Sequence, residues 1–151
     1  MKKEIGNLIF DYICEIIPEK DDAGFIKEHL PQDRYRKKDV YDLHKYGSGA
    51  FCKFKIPNKF VESGVYAICI DDELLYIGEC EVLSKRFCTG YGNISPKNCY
   101  LGGQQTNCRI NKLIYEQAKN GKKILLYFHE TEKRKAIEKE LIEKYNPVWN
   151  K

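Results

Sequence analysis

From the N-terminus, Ile5, Leu8, Ile9, Tyr12, Ile13, Ile16 and Ile17 recur at three- and four-residue steps until Pro18 stops the run. That spacing predicts one helix with one apolar stripe, which could dock on a core or pair with a second copy of the chain. Asp22 to Leu30 reads as a short helix closed by Pro31, and Gly47-Ser48-Gly49 as a hinge before Phe51, Phe54 and Ile56. The period then changes to two. Val65, Ala67 and Cys69 alternate with Tyr66, Ile68 and Ile70, an acidic stretch follows, and Leu74 to Ile77 lead back, which predicts a tight hairpin bracketed by Gly64 and Gly78. For Tyr66 and Tyr76 to share a face the turn must be of odd length, so the expected loop is Asp71-Asp72-Glu73, with Ile70 opposite Leu74 and Ile68 opposite Tyr76. Val65, Ala67, Cys69, Leu75 and Ile77 then form the other, buried face.

Beyond the hairpin, residues Gly90 to Thr106 form a long loop rich in glycine and amide side chains. Such a segment could read base edges or bridge phosphates, or pack on itself as an Ω-loop. Asn107 would cap a helix with Ile110, Leu113, Ile114 and Ala118 on one face, closed by Gly121. Lys123 to His129 is short and apolar, as a covered third strand should be. Thr131 can cap a last helix, on which Glu138 shares a stripe with Leu141, Ile142 and Tyr145 and so stands at the edge of its apolar face.

A chain of 151 residues suits one compact core with an extension. No apolar run approaches a membrane span, and Met1-Lys2-Lys3-Glu4 does not open a signal peptide, so the expected compartment is cytoplasmic, with no membrane partner. Seven cysteines, odd in number and without a Cys-x-x-Cys pair, fit reduced thiols. Convergence of Cys80, Cys88, Cys99 and Cys108 on a metal is the alternative, and no zinc is expected. The net charge of +4 is unevenly placed: from Val82 to Tyr115 there are Lys85, Arg86, Lys97, Arg109 and Lys112 and no acidic residue. This suits phosphate, although a solvated face would look the same. Arg34, Arg36, Lys37 and Lys38, interleaved with Tyr35 and Tyr41, likewise could grip a DNA backbone or solvate a loop.

Four matches in order carry a resemblance: Gly64-Val65-Tyr66, then Tyr76-Ile77-Gly78, then Leu83-Ser84-Lys85-Arg86-Phe87, then the helix Ala136–Ile142 followed by Tyr145-Asn146-Pro147-Val148-Trp149-Asn150. Together they resemble the GIY-YIG nuclease superfamily, metal-dependent enzymes that cut DNA phosphodiesters. The resemblance implies an α/β (α+β) domain over 61–151 with a small three-stranded, mostly antiparallel sheet flanked by helices. Residues 1–60 are then a helical, later loop-rich, N-terminal extension, through which the chain could form a homo-oligomer. It further implies that Glu138 is the main protein ligand of one Mg²⁺ or Mn²⁺ and that Arg86 holds the scissile phosphate. Tyr66 would serve as general base toward water, Tyr76 would position water or phosphate, and Asn150 would orient neighbours of the site. Lys85, Tyr91, Lys97, Gln104, Asn107, Arg109 and Lys112 are the candidate DNA contacts.

Two departures qualify the match. Phe87, Cys88, Thr89 and Gly90 stand where many members carry a histidine after the arginine, and His129 reads as a structural histidine. The spacing from Tyr66 to Tyr76 is also one residue shorter than in many members. The resulting expectation is a metal-dependent DNA endonuclease of restriction or mobile-element type. The alternative is a non-catalytic nucleic-acid-binding module on the same fold.

Overall fold

The structure, a computed structural model, describes residues 1–151, and it begins with a hairpin where the spacing predicted a helix. β1 (Lys2–Ile5) and β2 (Leu8–Ile16) pair antiparallel across Gly6-Asn7. Both turn residues have positive φ, 58° and 67°, as a two-residue hairpin loop requires. The helical reading failed because the run crosses this turn, between Ile5 and Leu8, and then a bulge. Tyr12 faces Tyr127 and Cys14 faces Leu126, so Ile13 is the extra residue that breaks the alternation and leaves isoleucines at three- and four-residue steps.

The chain folds as two compact units interleaved in sequence, one made of Met1–Ile16, Ile56–Arg86 and Lys122–Lys151, the other of Ile17–Lys55 and Phe87–Gly121. In the first, β3 (Gly64–Ile70), β4 (Glu73–Cys80) and β5 (Ile124–Glu130) join the N-terminal hairpin in a sheet of order β1-β2-β5-β3-β4, antiparallel throughout. The class is α+β, but the sheet has five strands instead of three, and its two additional strands come from the segment expected to be a helical extension. β3 is buried along its whole length because it has a strand on each side and its faces are covered. Val65, Ala67, Cys69 and Ile77 pack with Ile5, Phe10, Tyr127 and Leu141, the last from α3 (Arg134–Tyr145). The hairpin turn is tied to that helix: the Gly6 N–H donates to the Tyr145 hydroxyl at 2.8 Å.

The β3–β4 turn differs from the expected one. It is the two-residue loop Asp71-Asp72, both at positive φ (50° and 67°), with Ile70 opposite Glu73 and Cys69 opposite Leu74. A two-residue turn alone would have put the tyrosines out of phase. Leu75 restores the phase as a bulge between the Cys69–Leu74 and Ile68–Tyr76 pairs, so Ile68 does face Tyr76.

The second unit is built on α2 (Gln105–Lys119) and short 3₁₀ turns at Pro31–Arg34 and Pro96–Cys99. The expected helix at Asp22–Leu30 is absent, and the segment instead makes bridges from Lys20 to Ile26 and from His29 to Phe51. Asn111 anchors this unit from a fully buried position in α2. Its amide accepts from the Cys52 N–H (3.1 Å) and donates to the Cys52 and Tyr91 carbonyls (2.9 and 2.7 Å), pairing backbone groups that no regular element satisfies. The long loop from Gly90 is packed: Ile94, Cys99 and Tyr100 form a cluster with Phe51 and Cys108. A Cβ on Gly47 would stand 1.8 Å from the Cys99 carbonyl oxygen, so a glycine is required there for the two segments to meet. α1 (Leu83–Lys85) passes into a π-helical turn over Arg86–Tyr91.

Candidate active site

Tyr66 on β3 faces Gly78 on β4, and Tyr76 faces Ile68, so the two tyrosines are diagonal neighbours on one face of the hairpin. Their ring centroids are 6.2 Å apart. Gly78 makes this arrangement possible, because a Cβ there would stand 2.3 Å from both Cζ and Oη of Tyr66. The glycine of Tyr76-Ile77-Gly78 is thus the floor on which the Tyr66 ring lies. Tyr66 is 1% and Tyr76 8% exposed, and both are therefore rigidly held.

The next strand position points to the opposite face. Glu79 there pairs with Arg134 from the first turn of α3, and Arg134 also reaches Glu81 at 3.3 Å. Glu138 lies four residues after Arg134, on the same side of the helix. Its half-buried carboxylate is raised above its ordinary value by burial first and then by the negative charge of Glu79, while a backbone hydrogen bond from Glu79 and the Arg86 guanidinium pull it back down. In the first unit, Glu79 and Arg86 thus act on Glu138, and Arg134 pairs with Glu79. Glu79 and Arg134 were missed in the sequence, although Glu79 directly follows Gly78 and Arg134 stands one helical turn before Glu138.

Asn150, in the terminal 3₁₀ turn Val148–Asn150, uses its amide as a peptide mimic. Its Oδ1 accepts from the Ile77 N–H at 2.9 Å and its Nδ2 donates to the Ile77 carbonyl at 2.8 Å, which satisfies the outer edge of β4 beside Tyr76. Lys85 is exposed at the end of α1. The other candidate DNA contacts belong to the second unit. Lys97 and Gln104 are exposed there, and Arg109 and Lys112 half-buried, with the Lys112 ammonium 5.4 Å from the Phe51 ring centre. Tyr91 is buried with its ring against Phe87, and Asn107, also buried, donates to Gln104 Oε1 at 3.0 Å. His129 Nδ1 bonds the Ile9 carbonyl at 2.9 Å, the structural role its place on the third strand suggested.

No group of three or more His, Cys, Asp or Glu side chains is arranged to hold a metal ion. A divalent ion held at Glu138, as the resemblance implies, would meet that carboxylate and water. This fits Mg²⁺, a hard ion that keeps several waters and takes one or two carboxylates. The raised Glu138 carboxyl gives a test that does not depend on catalysis. Below the ordinary glutamate range both folded and unfolded states are protonated. As pH rises through the raised folded value, the native state must carry a desolvated charge that the unfolded state carries in water. Glu138→Gln is therefore expected to melt above wild type at pH 7, with the gap closing as pH falls toward ~4. Mg²⁺ should raise the melting temperature of wild type and leave that of the variant unmoved. Equal melting of the two proteins at both pH values would show that the carboxylate is not strained by its surroundings.

No protein-family model matches the chain, and no curated protein does. Among solved structures, a point mutant of bacteriophage T4 EndoII, with a glutamate replaced by alanine, is similar in fold. The TM-score is 0.56 at 23% identity, over 94% of this chain and 92% of that one. At this identity the likeness establishes the fold, and its coverage is large enough to take in parts of both units.

Proposed function

We propose that the protein is a metal-dependent DNA endonuclease that hydrolyses phosphodiester bonds, of restriction or mobile-element type. The observation that carries this reading is the half-buried Glu138 carboxylate, under the influence of both Glu79 and Arg86. A carboxylate so placed favours a bound cation, and an arginine acting on the same point suits a phosphate beside it. The fold shared with EndoII, whose name marks it as an endonuclease, supports DNA as the substrate.

Glu138 would hold one Mg²⁺ or Mn²⁺, whose chemistry when bound is to neutralise charge growing on the phosphoryl and leaving oxygens. Arg86 binds the scissile phosphate through its planar fork. Tyr76 orients the attacking water, and Tyr66, fixed over Gly78, takes its proton as the phenolate, its own proton having passed to solvent through water. Asn150 touches none of these atoms. It is a positioning residue that fixes the Ile77 peptide and hence the direction of Tyr76. Glu79, paired with Arg134, donates its backbone N–H to the Glu138 carboxylate.

The direct test is incubation with plasmid and branched DNA in Mg²⁺, in Mn²⁺ and in EDTA, with end-mapping of the products. Cleavage that EDTA abolishes is the expected result. Binding without cleavage of any substrate in either metal would leave a nucleic-acid-binding module on this fold.

A further inference from the structure

In the second unit a concavity of about 550 Å³ is lined by Arg34, Tyr35, Arg36, Lys37, Pro96 and Lys97. Four cations thus converge from two stretches distant in sequence, and no carboxylate is among the lining residues. The convergence is built. The Tyr100 hydroxyl, from a ring only 5% exposed, donates to the Gln32 carbonyl at 2.7 Å, and the Tyr35 ring packs on the Tyr100 ring with centroids 4.8 Å apart. Gly103 lets the chain close on the Lys97 turn, where a Cβ would stand 2.4 Å from the Lys97 carbonyl oxygen. Asp33 and Asp39 act on Tyr100 but lie outside the lining. Holding four like charges around one concavity raises the free energy of the empty surface, and a polyanion relieves it.

We propose that this concavity is a second phosphate-binding site, which takes the backbone of the DNA duplex outside the cleavage centre. The inference rests on DNA being the substrate of the proposed enzyme. The chemistry favours a duplex backbone over a small anion. Arg34, Arg36, Lys37 and Lys97 are all exposed, and such side chains give the salt-dependent, sequence-independent attraction by which proteins hold phosphates. Lys97 adds a cation from a second stretch to Arg34, Arg36 and Lys37, which a merely solvated loop would not require.

The test is a salt series of duplex binding by fluorescence anisotropy in EDTA, so that cleavage plays no part. Each phosphate contact contributes about 0.9 to the slope of log affinity against log salt. Arg34→Gln/Arg36→Gln/Lys37→Gln is expected to flatten the slope by about two to three, and Lys97→Gln alone, which enters from the other segment, by about one. Lys123→Gln/Lys144→Gln, a charge-removal control in the first unit, should change it by less than one. Slopes equal to wild type in both site variants, or an equal loss in the control, would overturn the site. Should the triple variant fail to fold, Lys97→Gln decides. The two readings fail separately: wild type that cuts DNA while the site variants keep its slope refutes only the second site, whereas a flattened slope in a protein that never cuts refutes only the nuclease.

Discussion

Glu138→Ala is expected to lower DNA cleavage by about a thousandfold or more while leaving DNA binding at least as tight as in wild type. The substitution removes a carboxylate and no positive charge, and duplex affinity comes chiefly from lysine and arginine contacts with phosphate. Binding should therefore hold or strengthen as repulsion falls. Cleavage should collapse because neutralising the phosphoryl and leaving oxygens is worth several kcal/mol in the transition state, and about 1.4 kcal/mol is tenfold in rate. Arg86→Ala, which removes the proposed phosphate ligand, should weaken both binding and cleavage. Glu140→Ala, on the exposed side of α3, should change neither. The comparison is made by anisotropy in EDTA and by plasmid cleavage in Mg²⁺. Wild type that binds without cutting, and a Glu138→Ala protein indistinguishable from it, would sink the nuclease reading.

How far the sequence disclosed this molecule depends on where a bulge fell. The β3–β4 hairpin was legible because Val65 to Ile70 is a short, unbroken apolar run that ends at the acidic pair Asp71-Asp72. Its turn was not, since two devices give the tyrosines one face, an odd loop or a two-residue loop with a bulge, and the chain uses the second at Leu75. In β2 the bulge at Ile13 did more damage, because it replaced a period of two with helical steps. A signal against the helix was present: Gly6-Asn7, which is hairpin-turn chemistry, stands directly before a run rich in β-branched and aromatic residues. The candidate residues Tyr66, Tyr76, Arg86, Glu138 and Asn150 were found through short motifs, which name groups without naming what surrounds them. Glu79 and Arg134 belong to no such motif. Their part is electrostatic and becomes visible only when β4 and α3 are packed together, as the contact of Arg134 with Glu79 shows. Lys97 shares this limit, for nothing in the sequence brings it to Arg36.

The two glycines that bracket the hairpin should fail in different ways when given a methyl group. A Cβ on Gly64 would stand 2.2 Å from the His129 carbonyl oxygen, a backbone atom of the paired strand β5. Relief requires β3 to part from β5 in the middle of the sheet, so Gly64→Ala is expected to cost about 3 kcal/mol, the upper end for overpacking, and to lower the melting temperature accordingly. A Cβ on Gly78 meets a side chain instead, Cζ and Oη of Tyr66 at 2.3 Å. The ring can tilt, yet it is 1% exposed and its neighbours are close-packed, so it moves only by carrying its hydroxyl away from its place beside Tyr76. Gly78→Ala should thus cost stability more modestly, about 1 kcal/mol, and lower cleavage by about a hundredfold, the effect of an ångström-scale misplacement of a reacting group. Thermal melts and plasmid cleavage measured on the same preparations separate the two. A Gly78→Ala protein that melts close to wild type and cuts at the wild-type rate would remove Tyr66 from the proposed chemistry, because its hydroxyl cannot stay where it is with a methyl group beneath it.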